Sequence, residues 1–181
     1  MTSKHTYRNV ANFLDNRKAA NPMWGHAQIL SSGVITCSDG LILASIDTDL
    51  CNIVSPTTVL DGAAFLKAMM ADPDCRVMSD SLNTLTVGDE IFETAPTMRA
   101  NCYQILKLGL LAKNDPTEQG TFGLLASHTA TLGKIKDLKG KPDVVKLSFR
   151  DRILVFSALS SSLSGVVMAN THPEISQGTL L

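Results

Sequence analysis

The 181-residue sequence has four cysteines but no CxxC pair, and four histidines but no HxxxH or HExxH spacing. It has no GxSxG turn, no GxGxxG and no P-loop. These absences remove the metal knuckle, the zinc protease helix, the nucleophile elbow and the Gly-rich phosphate cradle. Aromatic residues are scarce at 5%, and charged residues reach only 18%. No apolar run approaches the ~18–20 residues of a membrane span. The start, Met1-Thr2-Ser3-Lys4-His5, is polar and has no apolar signal region. The expectation is a cytoplasmic protein with no membrane association, no cofactor and no metal. In such a reducing setting Cys37, Cys51 and Cys75, each set among apolar residues, read as small buried hydrophobes.

Catalysis finds little support. Ser160, Ser161, Ser162 and Ser164 suggest a loop, but no His-Asp partner stands near them. Asp47 and Asp49 could hold a cation, yet a turn after a strand favours Asp for its backbone hydrogen bonds. The chain reads as non-enzymatic.

What the sequence does hold is segregated charge. The formal net charge is −1. Residues 1–38 set Lys4, Arg8, Arg17 and Lys18 against Asp15, for +3. Residues 39–98 set ten acids against Lys67 and Arg76, for −8. Residues 99–152 set ten bases against five acids, for +5. A partner meets the local field rather than the total. Lys134, Lys136, Lys139 and Lys141 fall within eight residues, as a solvated helix face or as a surface for a polyanion.

Hydrophobic periodicity predicts an α+β chain. Tyr7, Val10, Phe13 and Leu14 predict a helix over 6–19, stopped by Asn21-Pro22. Short strands are expected at 27–31, 34–37, 41–46 and 51–54, with a hairpin turn at Asp39-Gly40. A helix over 60–71, capped by Asp61, precedes strands at 75–79, 84–87 and 90–94, the last two joined at Gly88-Asp89. An apolar helix over 101–113 and a fourth over 128–139 lead to strands at 144–149, 153–158 and 164–168. Residues 66–74 and 135–143 align at an offset of 69, each a helix end, a Pro-Asp and then three strands.

The succession of helix and strand meander, given twice, resembles one domain of a DNA sliding clamp, most nearly the bacterial replicative clamp. Residues 33–50, from Gly33-Val34-Ile35-Thr36 to Asp47-Thr48-Asp49-Leu50, resemble the clamp hairpin that ends in Thr-Asp. Residues 57–70 match the strand end and helix that follow it, and 144–168 are similar to the closing strands of a clamp domain. The second copy is shortened, with about 14 residues between its two helices against about 40 in the first. The resemblance therefore implies a clamp-like unit over 1–98 and a second, trimmed one over 99–181, as in a small phage- or plasmid-encoded relative.

That resemblance implies a non-enzymatic protein that associates with double-stranded DNA, with a polymerase or another replication protein, and with copies of itself. Helix-borne bases would follow the phosphate backbone: Arg8, Arg17, Lys18, Lys67, Lys107, Lys113, Lys134, Lys136, Lys139 and Lys141. The alternative is a protein-binding module that keeps the clamp fold without encircling DNA. Its apolar groove would draw on Leu159, Leu163, Val166, Val167 and Met168, whose other reading is plain core strand.

Overall fold

Ser3 and Asp61 start the first two helices by the same chemistry. The Ser3 hydroxyl accepts the Thr6 N–H at 3.3 Å, and the Asp61 carboxylate accepts the Ala64 N–H at 2.9 Å. The computed structural model describes residues 2–14, 25–30, 33–39, 42–50, 53, 55–79, 83–96, 126–150 and 153–168. Within them the elements run α1 (Lys4–Ala11), β1 (Ala27–Ile29), β2 (Val34–Ser38), β3 (Ile42–Asp47), β4 (Thr57–Val59), α2 (Gly62–Ala71), β5 (Val77–Ser79), β6 (Thr84–Val87) and β7 (Glu90–Pro96). After these come α3 (Ala126–Leu132), β8 (Val145–Arg150), β9 (Ile153–Ala158) and β10 (Ser164–Met168).

Three expected elements change. The first helix ends at Ala11, where the Phe13 and Leu14 N–H groups bond back to the Val10 and Ala11 carbonyls. That tighter turn places Phe13 on Phe156, with ring centroids 5.4 Å apart. Ile53, expected in a strand, lies outside any strand, and Thr57–Val59 pairs instead. The helix expected over 128–139 runs Ala126–Leu132 and stops before Gly133. The helix expected over 101–113 lies outside the described residues. The Asp39 N–H and carboxylate bond to the Ile42 carbonyl and N–H, so Asp39 closes the β2–β3 ladder. The Gly40 half of the expected turn lies outside the described residues.

The ten strands described form one sheet in the order β5-β6-β7-β4-β1-β2-β3-β10-β9-β8, with antiparallel neighbours throughout. The meander after each of the later helices therefore takes one end of the sheet. The join is β3 with β10, where Val166 stands opposite Leu43 and Gly165 opposite Ala44.

Pairing register sorts the side chains by face, because directly opposed residues point the same way. One face carries Ile29, Ile35, Ile42, Ala44, Ile46, Leu154, Phe156 and Val167, all buried in the main core. There α1 packs on β2, β3 and α2, while α2 packs on β1 and β6. Phe65 of α2 meets Phe92 edge-on at 5.9 Å. Across the other face runs a polar row, Thr58, Gln28, Thr36, Ser45, Ser164 and Ser157, one residue from each of six strands. The Ser45 and Ser164 hydroxyls lie 3.2 Å apart. No helix among the described residues is long and apolar enough to cross a membrane.

Gly165 occupies the tightest point of this packing. A Cβ there would stand 2.3 Å from Phe156 Cζ and 2.4 Å from the Leu43 carbonyl oxygen. Neither can retreat, since the carbonyl is in the β3 backbone and the ring is stacked on Phe13. Gly165→Ala should therefore cost about 1–3 kcal/mol, the usual penalty of overpacking. Urea denaturation followed by far-UV circular dichroism reads it as a lowered midpoint at unchanged slope.

Candidate nucleic-acid interface

The four clustered lysines are not on a helix. After α3 the chain enters a narrow turn closed by a bridge between Lys136 and Pro142. Asp137 organises it from within: its carboxylate accepts the backbone N–H of Lys141 at 2.8 Å and of Lys139 at 2.9 Å. Those bonds, with desolvation opposing them and the two ammonium charges adding to them, hold the carboxyl below its ordinary value of 3.8. At the far end the Asp143 carboxylate accepts the N–H groups of Val144 at 2.8 Å and Ser160 at 3.1 Å. This tethers the turn to the start of the β9–β10 connection.

Asn9 fastens the turn to α1. Fully buried, it donates from Nδ2 to the Lys136 carbonyl at 2.7 Å and accepts the Lys136 N–H at 2.9 Å. One turn earlier on the same helical stripe, the His5 ring lies against Gly140. Gly140 has φ of +81°, which favours glycine, and the His5 ring fills the space where a Cβ would stand.

The consequence is electrostatic. Lys4 and Arg8 share the neighbouring stripe of α1 and are exposed. The turn docked beside them adds exposed Lys134, Lys139 and Lys141 and half-buried Lys136. The bonds between Asn9 and Lys136, 127 positions apart, thus join the two segments that carry these basic residues. Lys67 is exposed on α2, which packs against α1. Arg17, Lys18, Lys107 and Lys113 lie outside the described residues.

The residues expected in a partner groove separate. Leu163, Val166 and Val167 are 1–2% exposed and serve as core, whereas Leu159 is 65% exposed. The Met168 side chain lies outside the described ones. Next to Leu159, whose N–H bonds to the Val144 carbonyl, Val144 is exposed as well.

A recess of about 150 Å³ is lined by Thr2, Tyr7, Asp49, Asp74 and Cys75 among others. Burial, with Cys75 adding, pushes the Tyr7 hydroxyl up to about 12. Burial, with Asp72 adding, raises the Cys75 thiol too, so neither supplies an anion near neutrality. Among the described residues no three His, Cys, Asp or Glu side chains are placed to hold a metal.

The arrangement of helices and strands has solved counterparts. The DNA polymerase III beta subunit of Thermotoga maritima superposes with a TM-score of 0.63 at 10% identity, over 92% of this chain and 61% of that one. The beta sliding clamp of Bartonella birtlesii gives 0.60 at 13% identity, over 98% and 66%. The chain has the DNA sliding-clamp fold. The Helicobacter pylori beta clamp, solved with a DNA ligase peptide, gives 0.55 at 10% identity over 92% of this chain and 63% of that one. This chain thus spans less than two thirds of the length of these clamps. Neither a protein-family model nor a curated protein matches the sequence.

The residues that fasten the lysine turn to α1, as opposed to charging it, carry weaker sequence signals. Asn9 was the available signal: an amide at the margin of the apolar stripe of an amphipathic helix needs partners when buried. Asp137, followed by Gly140, carries the turn chemistry that ends a helical run.

Removing the amide should free the turn. Asn9→Ala leaves the Lys136 N–H and carbonyl without their partners, at a cost of about 1–3 kcal/mol. Hydrogen exchange should accelerate at 134–142 more than in β9. For Asp137 the sign runs toward acid loss, because a depressed carboxyl stabilises the turn above its unfolded value and ceases to do so as pH falls through its folded one. The Lys139 and Lys141 amide resonances should hold their positions through the ordinary carboxylate range and shift only below it, as seen by NMR titration.

Proposed function

We propose that this is a non-enzymatic, sliding-clamp-like protein that associates with double-stranded DNA through the α1 face and the lysine turn. The observation that carries the reading is the Asn9 fastening, which gathers Lys4, Arg8, Lys134, Lys136, Lys139 and Lys141 in a chain of net charge −1. Exposed ammonium and guanidinium groups on a rigid support neutralise phosphates without reading bases, which suits a protein that must move along any sequence. Arg17, Lys18, Lys67, Lys107 and Lys113 complete the proposed set. The units 1–98 and 99–181 would each supply helices to that surface. Among the described residues β5 and β8 end the sheet, and copies would associate by such edges, as a clamp subunit spanning part of a ring must.

A second reading rests on Leu159 and Val144, exposed side by side where β8 and β9 begin and end. There the protein would hold a polymerase or another replication protein by an apolar segment, without encircling DNA. Leu163, Val166, Val167 and Met168 would then support the groove from beneath.

Retention on immobilised double-stranded DNA decides between them. Changing Lys134, Lys136, Lys139 and Lys141 to Glu should abolish retention and leave the circular dichroism spectrum unchanged. For the unmodified protein, four phosphate contacts give a log–log salt slope of about −3.6, at ~0.9 per contact. No salt-dependent retention even at low ionic strength would remove DNA from the proposal and leave the partner-binding module.

A further inference from the structure

The lysine turn is a hairpin of a defined kind. The Gly140 N–H bonds to the Asp137 carbonyl at 3.0 Å, and the Asp137 N–H to the Lys141 carbonyl at 2.8 Å, above the Lys136–Pro142 bridge. Gly140 takes the left-handed place that follows a type I turn in a three-residue hairpin. The tip is therefore Leu138-Lys139, and both residues are exposed. A single exposed leucine is ordinary on a protein surface. Leu138 differs in its support. The Asp137 carboxylate holds the Lys139 and Lys141 N–H groups, Asn9 holds the base of the hairpin, and His5 lies against Gly140. An apolar side chain, 50% exposed, thus stands at a fixed tip with lysines on either side in the sequence.

We propose that this hairpin enters the major groove of duplex DNA tip first, with Leu138 against a thymine methyl and Lys139 and Lys141 at the flanking phosphates. The inference rests on the DNA-association reading above and gives it a mode of contact. Size selects the groove. Two paired segments about 5 Å apart, with their side chains, exceed the ~6 Å minor groove, whereas the ~12 Å major groove admits a two-stranded ribbon. Chemistry selects the contact, since the thymine C5-methyl is the apolar group that base pairs present there. Asp137, the acid within the hairpin, is engaged by the backbone N–H groups of the two lysines, whose ammonium groups are left to the phosphates. One methyl contact gives a preference for A·T pairs rather than a sequence, so movement along the duplex is preserved.

Two short duplexes of one A·T-rich sequence test it, one with thymine and the other with uracil throughout. They differ in methyl groups and not in charge. Fluorescence anisotropy at low salt should show the unmodified protein binding the thymine duplex about fourfold tighter, the worth of one buried methyl. Leu138→Ser should bind both duplexes equally, with the circular dichroism spectrum and the log–log salt slope unchanged. Lys139→Ala should keep the thymine preference and make the slope shallower by ~0.9. If the unmodified protein binds neither duplex, DNA association itself fails. If it binds both alike, or if Leu138→Ser keeps the preference, DNA association stands and the groove contact is wrong.

Discussion

Everything in this molecule hangs on the pairing of β3 with β10. Without it the meander β8-β9-β10 would have no neighbour, and the first seven strands would end at an open apolar edge. The pairing requires close approach, and Gly165 permits it: the Phe156 ring sits where a side chain would otherwise stand. Phe156 in turn receives Phe13 from the turn after α1. The helix that carries the basic side chains is therefore seated by a contact that begins in the last strand.

The second fastening is polar. A bidentate amide between α1 and the lysine turn holds two segments that differ in everything but charge. Such bonds contribute modestly when made, and much more is lost when a buried partner is left unpaired. Asn9 thus fixes position as much as stability. It turns a set of lysines on a surface turn, which alone would sweep a wide volume, into groups at definite separations from Lys4 and Arg8. His5 against Gly140 restricts the same turn from a second side.

Much of the fold was legible because strand and turn chemistry is local. β6, β9 and β10 fall at the residues that apolar pattern and turn signals indicated, and Asp61 caps α2 as its side chain predicts. The failures share one cause. Residues 133–139 have helical spacing of Ile135 and Leu138, but Asn9, more than a hundred residues away, offers the Lys136 backbone better partners than the next helical turn. Phe13 likewise leaves its helix for a ring on β9. Val166 and Val167 read equally as groove or core, and which they are depends on strands on either side that no local pattern reveals. Charge was legible as a sum over segments, whereas the fastening of α1 to the lysine turn by Asn9 was not.

The polar row across the outer face has a consequence in time. Thr36, Ser45 and Ser157 are buried there, beside a helix-side face that is almost wholly hydrocarbon. A slip of one residue at any strand would exchange the two, driving hydroxyls into that hydrocarbon. The sheet therefore tolerates one alignment, and its closing seam joins Ser45 to Ser164, 119 residues later. During synthesis β3 must wait, edge open, while most of the chain is still being made. Contacts so distant in sequence form slowly, and an unpaired apolar strand is vulnerable in that interval. A strand that is interior to the finished sheet is, for most of the chain's emergence, its exposed border.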